Sequence, residues 1–333
     1  MKKTRIPTGF IIVDEYSRGQ LETLSIGDYG KEKNIRAPFL GYENRIDGVP
    51  NGPVMPLEQK WVITVSTQYG CPMRCNFCDV PAIRFGGNAS IEDLERQVAN
   101  AISVFGNVTY TDRLNLHFAR MGEPLFNADN VIEFSASLIT DKLRYQKAWG
   151  LRVETLHSVF TTMAPKAAKG INPILQRWCS LKNNLYNGQA GLQLSINSTD
   201  EARRDEMFDG MQLPLVELAG VVSALPEPVG RKYCLNFAVH DDTVLDGKKL
   251  AAMFNPDHWM VKITPIHETT ASREAGLKTS DGYVKYAPYE RFEASAMDAG
   301  FDTIVFIPSM DEERGLVTCG NAVLGGSELR IHA

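Results

Sequence analysis

The sequence predicts an α/β protein whose parallel sheet closes, fully or partly, into a barrel. Three observations lead there. The chain has 333 residues, too many for one small core and too few for three domains. From Trp61 onward, short β-branched apolar runs alternate with helical patterns, the order of right-handed βαβ units. Ahead of Trp61 no helical periodicity is sustained, so the alternation belongs to the remainder of the chain.

Residues 1–60 read as short extended pieces with many turn formers, such as Gly27-Asp28-Tyr29-Gly30 and Val49-Pro50-Asn51-Gly52-Pro53, an N-terminal extension rather than a separate large domain. Residues 61–66 form the first buried strand. Ile91, Leu94, Val98, Ile102 and Phe105 then recur at helical spacing, with Ser90 and Asp93 marking the start as a capping box. A strand over 113–118 and a helix over 128–143 follow. Further strands are expected over 151–156, 191–196, 232–239 and 259–264, and a last run over 303–307 precedes the tail. About six strands of a partial (β/α)6 TIM-like barrel result, with residues 1–60 as extension, 61–300 as barrel and 301–333 as a C-terminal strand and loop carrying Cys319.

Composition narrows the function. Apolar residues make up 44% and charged residues 23%, which excludes disorder, collagen and coiled coil as the main architecture. No apolar run approaches the roughly 18 to 20 residues of a membrane span, and the basic start lacks the apolar stretch of a secretory signal, so a soluble cytoplasmic protein without membrane contact is expected. The net charge of −5 disfavours a strongly cationic, non-specific nucleic-acid binder. Six cysteines are too sparse for a disulfide scaffold, but Cys71, Cys75 and Cys78 lie within eight residues of one another.

That cluster sits immediately after the first core strand. Three thiolates on one short loop can hold three corners of a [4Fe–4S] cluster and leave one iron open to a substrate. A structural zinc site wants four protein ligands, and Asp79 or a distant histidine would have to supply the fourth.

The Cys71-x-x-x-Cys75-x-x-Cys78 spacing, with Phe77 just before the last cysteine, resembles the radical S-adenosylmethionine (radical SAM) enzymes. The order of further segments resembles the RlmN/Cfr family of RNA adenine methyltransferases: residues 66–71 leading to the cluster, Asn88-Ala89-Ser90 and Gln97-Val98 at the first helix, Met121-Gly122-Glu123-Pro124-Leu125, Ser195-Ile196-Asn197, Arg204-Asp205-Glu206 and Cys319-Gly320. The similarity runs from about Pro56 to Leu324. It implies a radical SAM partial barrel with a [4Fe–4S] cluster on Cys71, Cys75 and Cys78. It also implies reductive cleavage of SAM to a 5′-deoxyadenosyl radical, and an electron donor such as flavodoxin or ferredoxin.

The resemblance assigns SAM contacts to Gly122 and Glu123 after the second strand, Thr161 at the end of the third, and Ser195 and Asn197 at the end of the fourth. A carboxylate can take the SAM ammonium, while hydroxyls and an amide suit its carboxylate, ribose and adenine. Without a cofactor the same residues read as a Gly-Pro turn, a solvated glutamate and turn caps. His267 stands where the family carries a SAM-contacting Asn; it offers a hydrogen bond or proton relay, or is a rim histidine without duty. Cys319 matches the methyl-carrying cysteine. The family's resolving cysteine lies seven residues before the cluster, and here that position is Thr64, whose hydroxyl offers no thiolate chemistry. Cys179 and Cys234 read as buried structural thiols. The family's helical RNA-recognising domain has no counterpart in the strand-like residues 1–60.

Methyl transfer to an sp2 carbon of a nucleobase or nucleoside is the leading expectation. Its alternative is radical rearrangement or oxidation of a modified nucleoside, a peptide or a small metabolite, favoured by Thr64 and His267. A non-enzymatic metal-binding module is the third reading.

Overall fold

The computed structural model describes residues 1–47, 54–308 and 321–324. The turn-forming stretch 49–53, Cys319 and Gly320 lie outside the described residues. The chain opens with an antiparallel meander, β1 (Lys2–Ile6), β2 (Gly9–Tyr16) and β3 (Gly19–Ile26). A single helical turn, α1 (Lys31–Asn34), leads into β4 (Ile35–Arg36).

The alternating part then begins with β5 (Trp61–Val65), followed by a small ladder of β6 (Gln68–Tyr69) and β7 (Gly87–Asn88). After it come α2 (Ile91–Ser103), β8 (Tyr110–Phe118), α3 (Ala128–Thr140), α4 (Lys142–Trp149), β9 (Arg152–Thr162) and α5 (Ile171–Ser180). Next are β10 (Gly191–Ser195), α6 (Glu201–Phe208), α7 (Leu215–Val222), β11 (Tyr233–Val239) and α8 (Gly247–Ala251). The series ends with β12 (Trp259–Pro265), α9 (Thr270–Glu274), α10 (Ala287–Asp298), β13 (Thr303–Phe306) and α11 (Asn321–Leu324).

Eleven of these strands form one sheet in the order β1-β2-β3-β5-β8-β9-β10-β11-β12-β13-β4. The run from β5 to β13 is parallel throughout and follows chain order, so every C-terminal strand end lies along the same rim. This is the winding of a partial barrel, where ligands meet the C-terminal rim. The run at 303–307, set apart from the barrel by sequence, pairs in parallel with β12 and makes the series seven strands rather than about six. The N-terminal residues guard both edges of the series: β3 pairs antiparallel with β5, and β4 with β13. Each otherwise open row of backbone donors and acceptors is thereby paired.

Alternation along the strands separates two faces. Trp61, Ile63, Val65, Leu114, Leu116, Phe118, Leu235, Phe237, Val261 and Ile263 are buried in one large core that also takes in apolar residues of α2, α3, α5, α7 and α10. The intervening Thr64, His117, Asn236, Lys262 and Thr264 are only half-buried, and give the other face a polar inner wall.

The capping box at α2 forms in both directions: the Ser90 hydroxyl accepts from the Asp93 N–H at 3.2 Å, and the Asp93 carboxylate accepts from the Ser90 N–H at 2.9 Å. The single helix expected over 128–143 is instead two. Asp141 leaves the helical conformation at φ −110°, and the second helix stops where Gly150 turns left-handed at φ 62°. Among the described residues, no helix is long and apolar enough to cross a membrane.

One buried ion pair joins remote parts of this frame. Glu22 on β3 pairs with Arg120 just beyond β8, and both side chains are almost wholly shielded from water. The same carboxylate accepts the Ala322 and Val323 N–H groups of α11 at 3.0 and 3.1 Å. Removing one partner strands the other charge in the interior, so Glu22→Met or Arg120→Met should each destabilise the protein by about 3–5 kcal/mol. The double variant should recover much of that loss; denaturant unfolding measures it, and a double variant as unstable as the summed singles would contradict the pairing.

Candidate active site

The cysteine loop starts at the end of β5 and is closed by the β6–β7 ladder. Thr67 and Gln68 donate their N–H groups to the Met121 carbonyl at 2.8 and 3.2 Å, which draws the loop's start against the end of β8. Gly70, at φ 73°, turns the chain beneath the returning strand; a Cβ there would stand 2.9 Å from the Ile83 carbonyl oxygen.

The loop is then clamped on two sides. The Asn76 N–H donates to the Met207 carbonyl at 2.8 Å, Phe77 packs edge-to-face on Phe208 at 5.6 Å, and Arg74 pairs with Asp209 at 2.6 Å, all at the end of α6. On the other side the Thr269 hydroxyl donates to the Phe77 carbonyl at 2.9 Å. The Asp79 carboxylate accepts the Thr270 and Ala271 N–H groups at 3.3 and 2.8 Å. Asp79 thus adds its carboxylate to the first N–H groups of α9, whose own N-cap is Thr269.

Cys71, Cys75 and Cys78 are each half-buried. Cys71, Cys75 and Phe77 pack against an apolar cluster of Met73, Met163, Met207, Phe208, Ile266 and Leu277, and the Cys75 sulfur lies 3.7 Å from that of Met163. Among the described residues, no three or more His, Cys, Asp or Glu side chains converge as a single-ion site does. The fit to an iron–sulfur group therefore rests on the donor set: three thiols on one clamped loop with an apolar floor.

The Gly122–Glu123 motif lies directly beside this loop. Gly122 has φ 98°, and a Cβ on it would stand 2.6 Å from Cβ of Gln68 and 2.8 Å from its backbone nitrogen, so only glycine fits. The Gln68 side chain accepts the Glu123 N–H at 2.8 Å. The Glu123 carboxylate, itself buried, accepts the Leu125 and Met163 N–H groups at 3.0 and 3.1 Å and a hydrogen bond from Thr162. These bonds favour the ionised form, yet burial outweighs them and pushes the carboxyl up to about 7. Glu123 therefore does two things: it ties the end of β8 to the end of β9, and it holds a carboxyl poised to ionise when a cation approaches.

The remaining candidates line the same rim. Thr161, one residue before the end of β9, reaches the Gln193 side chain on β10 at 3.5 Å. Ser195 ends β10 opposite Asn236 of β11. Asn197 adopts a left-handed φ of 60° and accepts the Ala238 N–H at 3.0 Å, so its carbonyl oxygen is committed to β11 and its NH2 is what it offers a ligand. His267, two residues beyond β12, has its Nδ1 3.0 Å from the Tyr283 hydroxyl. Cys319 lies outside the described residues.

Two residues that the sequence placed in motifs without a role acquire one here. Gln68 bridges the Glu123 N–H and the Asn88 side chain, which it meets at 2.8 Å. Arg204 is fully buried and donates to the Ile196 and Leu213 carbonyls, both at 3.1 Å, fixing the turn that carries Ser195 and Asn197. Its signal was the helix-start pattern Asp200 and Glu201 followed by an arginine at helical spacing. Cys179 and Cys234 are buried, and burial pushes both thiols up to about 11, which leaves them inert near neutrality.

No family model matches the chain. It is 26% identical over 239 residues to the dual-specificity RNA methyltransferase RlmN of Geobacter sulfurreducens, covering 70% of this chain and 59% of that protein. It is also 26% identical over 253 residues to RlmN of Pelobacter propionicus, covering 74% and 64%. The chain thus spans about six-tenths of the length of these curated relatives. Among solved structures it shares the fold of a radical SAM methyltransferase from Sphaerobacter thermophilus, with a TM-score of 0.58 at 16% identity over 92% of this chain and 75% of the other. The chain is thus similar in sequence to RlmN methyltransferases and shares the fold of a radical SAM methyltransferase, with its three-cysteine loop on the C-terminal rim of the parallel strands.

Proposed function

We propose that Cys71, Cys75 and Cys78 hold a [4Fe–4S] cluster, that SAM binds beside it along the rim, and that the enzyme methylates an sp2 carbon of a nucleobase. The observation that carries this reading is the clamped three-thiol loop next to the buried Glu123. When bound, the cluster supplies the electron for reductive cleavage of SAM, the source of the hydrogen-abstracting radical. An external donor such as flavodoxin or ferredoxin delivers that electron. RNA as the substrate rests on the names of the relatives.

Each side chain has a part that follows from its position. The methionines and Phe208 beneath the cysteines exclude water from one side of the loop. Gly122 lets backbone approach the cofactor, and Glu123 pairs with the SAM ammonium. Thr161, Ser195 and the Asn197 NH2 supply hydrogen bonds to its carboxylate and ribose, and His267, oriented by Tyr283, to its adenine. Cys319 is the methyl carrier of this reading. Thr64 faces the inner wall of β5 where a resolving thiol would be needed, so release of the product cannot run through a disulfide at that position. That residue favours a second reading: hydrogen abstraction ending in rearrangement or oxidation, with no methyl on Cys319.

Three outcomes follow. Replacing any of Cys71, Cys75 or Cys78 by Ala should abolish both the iron–sulfur absorbance of anaerobically reconstituted protein and its formation of 5′-deoxyadenosine; a variant retaining both would remove that cysteine from the site. With methyl-labelled SAM, peptide mass spectrometry should find the label on Cys319; 5′-deoxyadenosine without a labelled Cys319 would replace methyl transfer by the second reading. The third outcome concerns pH. Only ionised Glu123 pairs with the ammonium, and in the ligand-free protein that carboxyl titrates near 7. An arriving cation lowers its pKa, so below about pH 7 binding ionises the group and releases its proton. SAM affinity should rise with pH up to about 7 and then level off, while Glu123→Gln should bind more weakly and lose this dependence. Calorimetry in buffers of different ionisation enthalpy reads both the affinity and the released proton.

A further inference from the structure

A second concentration of charge lies on the inner wall of the sheet, toward the N-terminal ends of the strands and away from the cysteine loop. Arg113 on β8 stands level with Lys60 at the start of β5, Arg231 immediately precedes β11, and Lys262 sits midway along β12 opposite Asn236. Lys60 is paired with Asp28. Arg113, Arg231 and Lys262 have no ion-pair partner among the described residues. Arg113 donates to the Asn115 side chain at 2.8 Å, Arg231 to the Gln189 carbonyl at 3.3 Å, and Lys262 lies over the Phe306 ring at 5.3 Å. These contacts satisfy donors and neutralise nothing.

The cations act on one another across the wall. Burial above all holds Arg113 and Lys262 below their ordinary values; Arg231 lowers both further and Lys60 lowers Lys262, while Asp28, and Cys234 at Lys262, pull the other way. Two histidines on the same face, His117 and His157, are pushed down to about 3 by burial and by these same cations. Nδ1 of the buried His157 has no hydrogen-bond partner. Yet Arg113, His117 and Lys262 are only half-buried and Arg231 is exposed. These groups are hemmed in by protein but still touched by water, unlike the packed core on the other face. Four cations, Lys60, Arg113, Arg231 and Lys262, face the single carboxylate of Asp28 here, and such an excess of like charge is costly to fold unless an anion joins it.

We infer that the inner wall is the anion-binding part of the substrate site, and that the substrate is a small phosphorylated molecule of the nucleotide class. Phosphate chemistry follows from the donor set, because two guanidinium groups and an ammonium are the donors that charge-assisted hydrogen bonds to several phosphate oxygens call for. Small size follows from depth. Lys262 lies three residues inside the rim, about 10 Å at the rise of a parallel strand, a reach suited to a nucleotide whose base meets the cysteine loop. A polynucleotide would instead call for cations along the outside, and the chain as a whole carries a net charge of −5. The inference rests on the radical SAM reading for what the far end of the ligand meets, but the phosphate site is testable apart from it.

The test uses the full chain, anaerobically reconstituted and saturated with SAM so that adenine cannot enter the SAM site. Inorganic pyrophosphate and adenosine 5′-monophosphate are the probes, and adenosine is the uncharged control. Both anions should bind saturably and compete with each other, and adenosine should bind at least about tenfold more weakly, as loss of charge-assisted hydrogen bonds implies. Lys262→Met and Arg231→Met should each weaken the anions by about tenfold, and Lys262→Arg should restore binding. Pyrophosphate should raise the melting temperature of the wild type and not that of Lys262→Met, a readout that also shows the variant folds. Equal affinity for adenosine and its monophosphate, wild-type anion binding by Lys262→Met, or tight binding of a single-stranded RNA without binding of either probe would each overturn the inference. 5′-Deoxyadenosine formation from SAM in the same preparation separates the two proposals: cleavage without anion binding sinks only this one, and anion binding without cleavage sinks only the radical SAM reading.

Discussion

The structure hangs on the buried pair of Glu22 and Arg120. Glu22 belongs to the N-terminal meander and Arg120 to the loop after β8, two residues before Gly122. The same carboxylate receives the first turn of α11. Three chain segments far apart in sequence thus share one desolvated anion. A pair of this kind adds little net stability compared with apolar packing, but it penalises any arrangement that separates its members. Its effect is to fix where the Gly122–Glu123 turn and the C-terminal helix lie relative to the sheet.

Around that pair the sheet solves its edge problem with the N-terminal residues. A parallel series of seven strands has two unpaired rims, and the chain spends β3 on one and β4 on the other. The buried Gln97 of α2 fastens the junction. Its side-chain oxygen accepts the Thr23 hydroxyl and the Ser66 N–H, and its NH2 donates to the Ser66 carbonyl. The meander, the first crossover helix and the entrance to the cysteine loop are therefore locked through one amide.

Local patterns were legible in the sequence. The capping box at Ser90 and Asp93, the strand at Trp61 and the three-cysteine loop each depend on residues within a few positions of one another, and each stands where the spacing put it. The sequence relation to RlmN and the shared fold agree with the resemblance carried by those motifs. What depends on register between strands was not legible. Arg113, Arg231 and Lys262 are isolated basic residues until pairing brings their strands onto one wall. The commitment of Asp79 to α9 needed a contact across more than 190 positions. The split of the helix over 128–143 is a smaller case: Asp141 is compatible with a helix by propensity, and only its backbone conformation reveals the break.

The clamping of the cysteine loop has a consequence for how the protein matures. The β6–β7 ladder, the contacts to the end of α6 and the cap on α9 are made by backbone groups and by side chains other than the three cysteines. The course of the loop is therefore fixed by contacts that do not pass through the three thiols. Proteins whose ligands are ordered only by their metal unfold when it leaves. With these contacts in place the proposed cluster would not be what orders its own loop, and its loss should leave the polypeptide folded.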